Sequence, residues 1–217
     1  MASQLFLLPA ALRAGDKQVP IDYLFAAATA PVYRRRGYMK LLLRYAAELS
    51  EQRGKAAIVL RPGSEELYRY YAKFGYQIAF SERVWTCTRD ALQAFSEPCG
   101  AADAIPVLTA FFQQTDGVVW EKDALRYALS EYRTFRGKAA AGGQAFAAES
   151  EDGAQIIAPV SALGQGFSLL LSLSDAPAFT VTLPPDATFG TRQNSGMIRF
   201  LTDPIPIQNA FLSFAME

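Results

Sequence analysis

Histidine is absent from this 217-residue chain, and that absence removes a good deal of chemistry. Without imidazole no Ser–His or Cys–His nucleophile can be assembled, and a zinc enzyme site is not expected. Cysteine is scarce. Cys87 and Cys99 form no C-x-x-C pair and are too few for a disulfide framework, which fits a reducing cytoplasm. An excess of either charge is missing too: Lys+Arg and Asp+Glu both number 21, which argues against general nucleic-acid binding. No apolar run reaches the roughly 18 residues that span a membrane. The start, Met1 to Pro9, has no basic n-region and too short an apolar segment for a signal peptide.

What is present is apolar and aromatic. With 51% hydrophobic and 12% aromatic residues the chain can bury a sizeable core, so disorder is not expected. Its length allows one large domain or two small ones.

Leu5 to Pro9 reads as a buried strand, Ala14-Gly-Asp-Lys17 as a hairpin turn, and Ile21 to Thr29 as a second, antiparallel strand. Pro31 stops that strand, and Tyr33 to Arg36 form a loop. The run after Gly37 carries apolar residues at Tyr38, Leu42, Tyr45 and Leu49, widened by Leu41 and Ala46, which predicts an amphipathic helix ended by Gly54. Ala56 to Leu60 is short and wholly apolar, as a central parallel strand is. Ser64 is placed to cap a helix from Glu65 to Phe74 with Leu67, Tyr71 and Phe74 on one face, terminated by Gly75. Ile78 to Thr88 reads as a strand. Residues 1–88 therefore spell β-β-α-β-α-β, an α/β (α+β) sheet of mixed strand directions.

From about Arg89 the texture changes. Ala91 to Cys99 reads as a connector, and Ala101 to Gln114 and Glu121 to Tyr132 as helices. Ala145 to Glu149, Ile156 to Val160, Phe179 to Leu183, Ser195 to Arg199 and Ala210 to Met216 read as strands. Phe167 to Leu173 is either the end of a helix or a buried strand. No internal repeat stands out.

The turn Arg34-Arg35-Arg36-Gly37 opens directly into a helix. A helix N-terminus offers unpaired N–H groups and the positive end of a dipole; with a glycine and three arginines beside it, this turn can hold a phosphate. The same residues also describe a solvated arginine cluster before an ordinary helix.

Ala27-Ala-Thr-Ala-Pro-x-Tyr-Arg-Arg-Arg-Gly-Tyr-Met39, the helix after it, Leu60-Arg-Pro62 and Leu67-Tyr-x-x-Tyr-Ala-Lys-Phe-Gly-Tyr76 occur in this order. Together they closely resemble the GNAT family of acetyl-CoA-dependent N-acetyltransferases. Gly196-Met-Ile-Arg199 and the length beyond residue 90 resemble the tandem relatives of the Eis (enhanced intracellular survival) type. The resemblance implies a GNAT-like mixed sheet flanked by helices over residues 1–90, then a second, degenerate GNAT-like α+β domain over residues 91–217. Two departures are visible. The family turn is Arg/Gln-x-x-Gly-x-Gly/Ala, and Met39 takes the last place here. The family fold also opens with a strand, two helices and a further strand, which form one wall of the acceptor pocket and are not seen here; the first GNAT fold is thus expected to be N-terminally incomplete.

The reaction implied is transfer of acetyl from acetyl-CoA to an amine of a small molecule or peptide. By the resemblance, Ala27, Ala28 and Thr29 pair with the pantetheine arm, and a backbone N–H of this strand polarises the acetyl carbonyl. The turn Arg34, Arg35, Arg36, Gly37, Tyr38, Met39 and Lys40 holds the pyrophosphate, and Glu66 and Leu67 line the arm. Tyr71, four residues before Gly75, takes the place of the tyrosine that protonates the departing thiolate; by its pattern alone it simply packs with Leu67 and Phe74. Tyr68 and Tyr70 are less well placed. The general base implied is the terminal carboxylate of Glu217, with Asp22 as a rival. No metal, nucleic acid or membrane is expected as partner, and an exposed hairpin over residues 1–29 would favour a homo-oligomer. The alternative to an enzyme is a scaffold of the same fold that binds acetyl-CoA without an acceptor site.

Overall fold

The computed structural model describes residues 1–131, 136–141, 145–150, 153–207 and 210–213. The chain forms two compact units: Met1–Phe80, Asp116–Ala124 and the stretch from Ser195 make the first, and Ser81–Thr115 with Leu125–Asn194 the second.

The first unit begins with the expected hairpin. β1 (Ser3–Ala14) and β2 (Lys17–Thr29) are antiparallel, with Ala14 opposite Lys17, so Gly15-Asp16 is a two-residue loop. Gly15 has φ +59, the backbone such a turn asks of its first position. α1 (Tyr38–Gln52) then leads to β3 (Ala57–Leu60), which runs parallel to β2 with all four residues buried. This is the central strand the apolar run predicts.

The face that α1 buries differs from the expected stripe. Leu43, Ala46, Ala47 and Ser50 are buried, whereas Tyr38, Leu41 and Tyr45 are exposed. Two apolar stripes lie side by side on this helix, and the sheet takes the one with small residues. Small side chains allow close approach, and they let Ser50 Oγ donate to Asp22 Oδ2 at 2.7 Å in the core. α2 (Glu65–Ala72) is capped by Ser64, whose hydroxyl accepts from the N–H of Leu67. Tyr71 is buried on its inner face; Leu67, in the first turn, is 39% exposed. β4 (Gln77–Thr88) follows.

Two later segments return to this unit. β6 (Gly117–Trp120) pairs antiparallel with Ala10–Arg13 of β1. In β11 (Thr191–Phe200), Met197–Phe200 pair antiparallel with β3. The strand order is therefore β11-β3-β2-β1-β6. Ala210 and Phe211 bridge to Phe80 and Gly117 and are buried.

The second unit holds α3 (Arg89–Ala94), β5 (Gly100–Ala102), α4 (Ala104–Phe112), most of α5 (Lys122–Glu131), β7 (Arg136–Ala141), β8 (Phe146–Ser150), β9 (Gly153–Ile157), α6 (Leu163–Leu171) and β10 (Ala178–Leu183). Neighbouring strands β5-β7-β8-β9 are antiparallel, β10 runs parallel to β9, and Arg83–Thr88 of β4 pair antiparallel with β10. Leu92, Ile156, Phe167, Leu170 and Val181 centre its core. Of the two readings open for Phe167 to Leu173, the helical one holds, as the end of α6. α4 starts later than expected because the Asp103 side chain accepts from the N–H of Ile105 and fixes its first turn. The connector contains α3, and β6 and β7 fall where the sequence patterns predict no strand.

Candidate active site

β2 and β3 part company. They pair from Ile21↔Ala57 to Tyr23↔Val59 and no further, so from Leu24 to Thr29 no described strand covers that edge of β2. A bulge lies in the freed part. Gln4 stands opposite Ala28 and Phe6 opposite Phe25, so Leu5 faces both Ala26 and Ala27. Ala26 has φ +50, a left-handed backbone that costs an alanine roughly 1–2 kcal/mol. Bulges re-aim the backbone, and such strain persists where the surroundings impose it. The result is a row of backbone groups open to an extended ligand.

The freed strand delivers the chain to the arginine turn. Arg34 Nε donates to the Thr29 carbonyl at 3.2 Å, which latches the turn to the end of β2. Arg35 has φ +63, and Gly37 is the N-cap of α1 with φ +84 and no side chain to cap with. Only glycine takes that φ freely. The leading N–H groups of α1, at Tyr38, Met39 and Lys40, therefore have no cap, and the left-handed residue just before the helix makes the concave arrangement of N–H groups that suits an anion. Arg36 lies over the Tyr33 ring at 5.7 Å, and Arg35 and Lys40 are exposed. These residues fit a pyrophosphate, with the open edge of β2 leading away from it.

Behind the edge is one apolar cluster. Leu24, Leu43, Ala47, Ile58, Leu60, Tyr71, Tyr76 and Met197 form its buried part, with Ala27, Met39, Tyr68 and Tyr70 against it. The structure thus brings Ala27, Met39 and Tyr71, from three different elements, to one place. Tyr71 is 7% exposed and its hydroxyl has no hydrogen-bond partner among the described residues; burial first, and Tyr70 second, push its phenol above the ordinary value of 10.0. It is protonated at neutral pH. Ala28 is exposed and Thr29 half-buried, with Thr29 Oγ1 sharing a hydrogen bond with Ser3 Oγ. Glu66 and Leu67 are exposed at the start of α2 and are not among the cluster.

Asp22 is committed elsewhere. It is 2% exposed, accepts from Ser50, and its other oxygen lies 3.5 Å from Lys55 Nζ. Such a carboxylate is part of the core. Glu217 lies outside the described residues. The tail leading to it is buried as far as Ser213, whose carbonyl accepts from Trp120 Nε1 at 2.9 Å, and Trp120 packs edge-on against Tyr23 at 5.0 Å. Tyr23 is the last residue of β2 to pair with β3. Sequence patterns do not single out Ala26, Tyr76 or Trp120 for a role at the site. A non-glycine bulge has no residue signature, and aromatic residues beside strands read as core.

Among the described residues no helix is long and apolar enough to cross a membrane, and no acid, cysteine and histidine group could hold a metal. Cys87 and Cys99 are free thiols, both raised in pKa by burial.

Residues 1–79 match the family model described as acetyltransferase (GNAT) domain. Among solved structures, a GCN5-related N-acetyltransferase from Kribbella flavida superposes with TM-score 0.67 at 18% identity, over 92% of this chain and 58% of that one. Eis1 from Mycobacterium abscessus gives 0.63 at 17%, over 92% and 61%. A GCN5-related N-acetyltransferase from Anabaena variabilis gives 0.64 at 20%, over 91% and 59%. Comparison with curated proteins finds no match. The chain spans about three-fifths of the length of these structural neighbours, and at such identities the likeness shows the fold. Residues 1–79 are thus similar to a GNAT acetyltransferase domain, and the mixed sheet has the fold of these neighbours.

Proposed function

We propose that the protein is an acyltransferase that moves acetyl from acetyl-CoA to the amine of a small molecule or peptide. The observation that carries this reading is the joint between the open edge of β2 and the uncapped start of α1, latched by Arg34 to Thr29.

Acetyl-CoA supplies an activated carbonyl and a thiolate leaving group. On the protein side, the N–H groups of Tyr38 to Lys40 hold the pyrophosphate, with Gly37 shaping the turn and Arg34, Arg35 and Arg36 adding charge. Ala27, Ala28 and Thr29 offer backbone groups to the amides of the pantetheine arm, as a neighbouring strand would, with Glu66 and Leu67 along its other side. A backbone N–H at the bulge polarises the acyl oxygen as charge develops there. Tyr71, buried and protonated, gives its proton to the departing sulfur. The carboxylate of Glu217 is the base that relieves the attacking amine of its proton. Residues 91–217 serve as a degenerate GNAT-like domain, and free cysteines suit work in a reducing cytoplasm.

The test is release of free thiol from acetyl-CoA across a broad amine panel, compared with Tyr71→Phe. Turnover with at least one amine, reduced about a hundredfold or more in the variant, supports the reading. Binding of acetyl-CoA without thiol release for any amine would favour a scaffold instead.

A further inference from the structure

Charged side chains are missing from the part of the hairpin that carries the open edge: none occurs from Met1 to Leu12 or from Tyr23 to Tyr33. The hairpin has two faces there. Leu5, Leu7, Leu24 and Ala27 pack in one cluster with Leu43 and Ala47 of α1. Phe6 stands opposite Phe25 in the register and Leu8 opposite Tyr23, and residues so paired share a face. Phe25 and Tyr23 alternate with Leu24, so theirs is the face turned away from α1. Trp120 packs against Tyr23 with ring centroids 5.0 Å apart and covers that residue, but Phe6 is 50% exposed, and Phe25 and Leu8 are half-buried. The Phe6 and Phe25 rings lie 6.2 Å apart and form an aromatic floor next to Trp120. β6 ends at Trp120, opposite Ala10, so no described strand lies outside β1 from Pro9 to Ser3.

We infer that Phe6 and Phe25 are specificity-determining residues, and that they receive the aromatic group of an arylalkyl monoamine acceptor. This rests on the reading of the open edge as the place of acyl transfer. Phe25 directly precedes the bulge at Ala26, where a backbone N–H is assigned to the acyl oxygen, so the floor is continuous with the reacting centre. A ring laid on it covers apolar surface that water now wets, and ring–ring contact fixes its place. The amine attached to that ring attacks as the neutral base. The C–N bond forms as the C–S bond breaks, the sulfur leaves with the proton of Tyr71, and the surplus proton on nitrogen passes to the base. A polyamine would bring further cations onto this face, and the hairpin offers no carboxylate to meet them. Asp22 is buried on the α1 side, bonded to Ser50 and paired with Lys55. The only polar side chains of β1 beside the edge are Ser3 and Gln4, and Ser3 Oγ is bonded to Thr29 Oγ1.

The test compares 2-phenylethylamine with ethylamine and spermidine, in the parent, in Phe6→Ser and in Phe6→Leu. Thiol release from acetyl-CoA should show kcat/KM for 2-phenylethylamine about tenfold or more above the other two in the parent. Phe6→Ser should cut the ratio of 2-phenylethylamine to ethylamine about tenfold, and Phe6→Leu should keep most of it. Saturation-transfer NMR of 2-phenylethylamine gives a second readout that needs no turnover: its ring protons should be saturated by the parent and not by Phe6→Ser. Equal kcat/KM for the three amines overturns the inference, as does a ratio unmoved in Phe6→Ser. If no amine is turned over, the acyltransferase reading fails on its own, and the ring-proton signal still decides whether the floor takes an aromatic amine. Self-association of the parent that Phe6→Ser abolishes, with amine preference unchanged, would give the face to a second copy and overturn the inference.

Discussion

Arg34 and Thr29 are joined: the guanidinium Nε–H of the first turn arginine donates to the carbonyl of the last β2 residue at 3.2 Å. One side chain therefore fixes the angle between the open strand and the helix start, the two halves of the proposed cofactor clamp. The first prediction concerns this latch. Arg34→Ala is expected to weaken acetyl-CoA binding about five- to tenfold, the worth of one hydrogen bond plus a nearby charge, without changing thermal stability. Calorimetry on the two proteins decides it, and equal affinities would confine Arg34 to the surface.

Ser50 and Asp22 make the buried polar contact that aligns α1 with β2. Ser50→Ala leaves a buried carboxylate oxygen without its donor and should cost about 1–3 kcal/mol in urea unfolding. A variant as stable as the parent would mean that Lys55 or water replaces the hydroxyl.

Gly117 sits against the backbone of Phe211, so that a Cβ there would run into the Phe211 carbonyl oxygen, and its φ of +141 is itself unfavourable for alanine. Gly117→Ala should therefore push the tail off β6, lower the melting temperature, and expose the Trp120 indole now bonded to Ser213. Unaltered tryptophan fluorescence and melting would contradict the account of the tail.

Stability should also fall at alkaline pH. Tyr70, Tyr71 and Tyr76 are all raised above 10.0 by burial. The unfolded chain loses these protons first, so the folded state is favoured fully below about pH 10 and loses ground as pH rises further. Urea midpoints at pH 9 and pH 11 check the sign, and Tyr76→Phe should flatten the decline. A midpoint that rises with pH would contradict the burial of these phenols.

Much of the clamp is legible in the sequence because its parts are local. Gly15, Pro31, Gly37 and Ser64 mark turns and caps within a few residues of where they act, and β3 announces itself by an unbroken apolar run. The rest depends on distant pairing. Nothing near Gly117 or Thr191 tells that β6 and β11 return to the first sheet, because register across a hundred residues leaves no local pattern. The inner face of α1 escapes the sequence for a related reason. Tyr38, Leu41 and Tyr45 are more hydrophobic than Ala46, Ala47 and Ser50, yet the sheet selects the small residues for fit. The parting of β2 from β3, and the bulge at Ala26, are invisible in residue types altogether.

The central claim is that the turn from Arg34 to Lys40 grips the pyrophosphate of acetyl-CoA. Calorimetry of acetyl-CoA against the unmutated protein and against Gly37→Asp tests it most directly. A Cβ at Gly37 would meet nothing within 4 Å, so the substitution acts through the left-handed φ and the added negative charge rather than by clash. The account predicts clear binding to the parent and its loss in Gly37→Asp with the fold intact. No affinity in the parent, or equal affinity in the two, would contradict it.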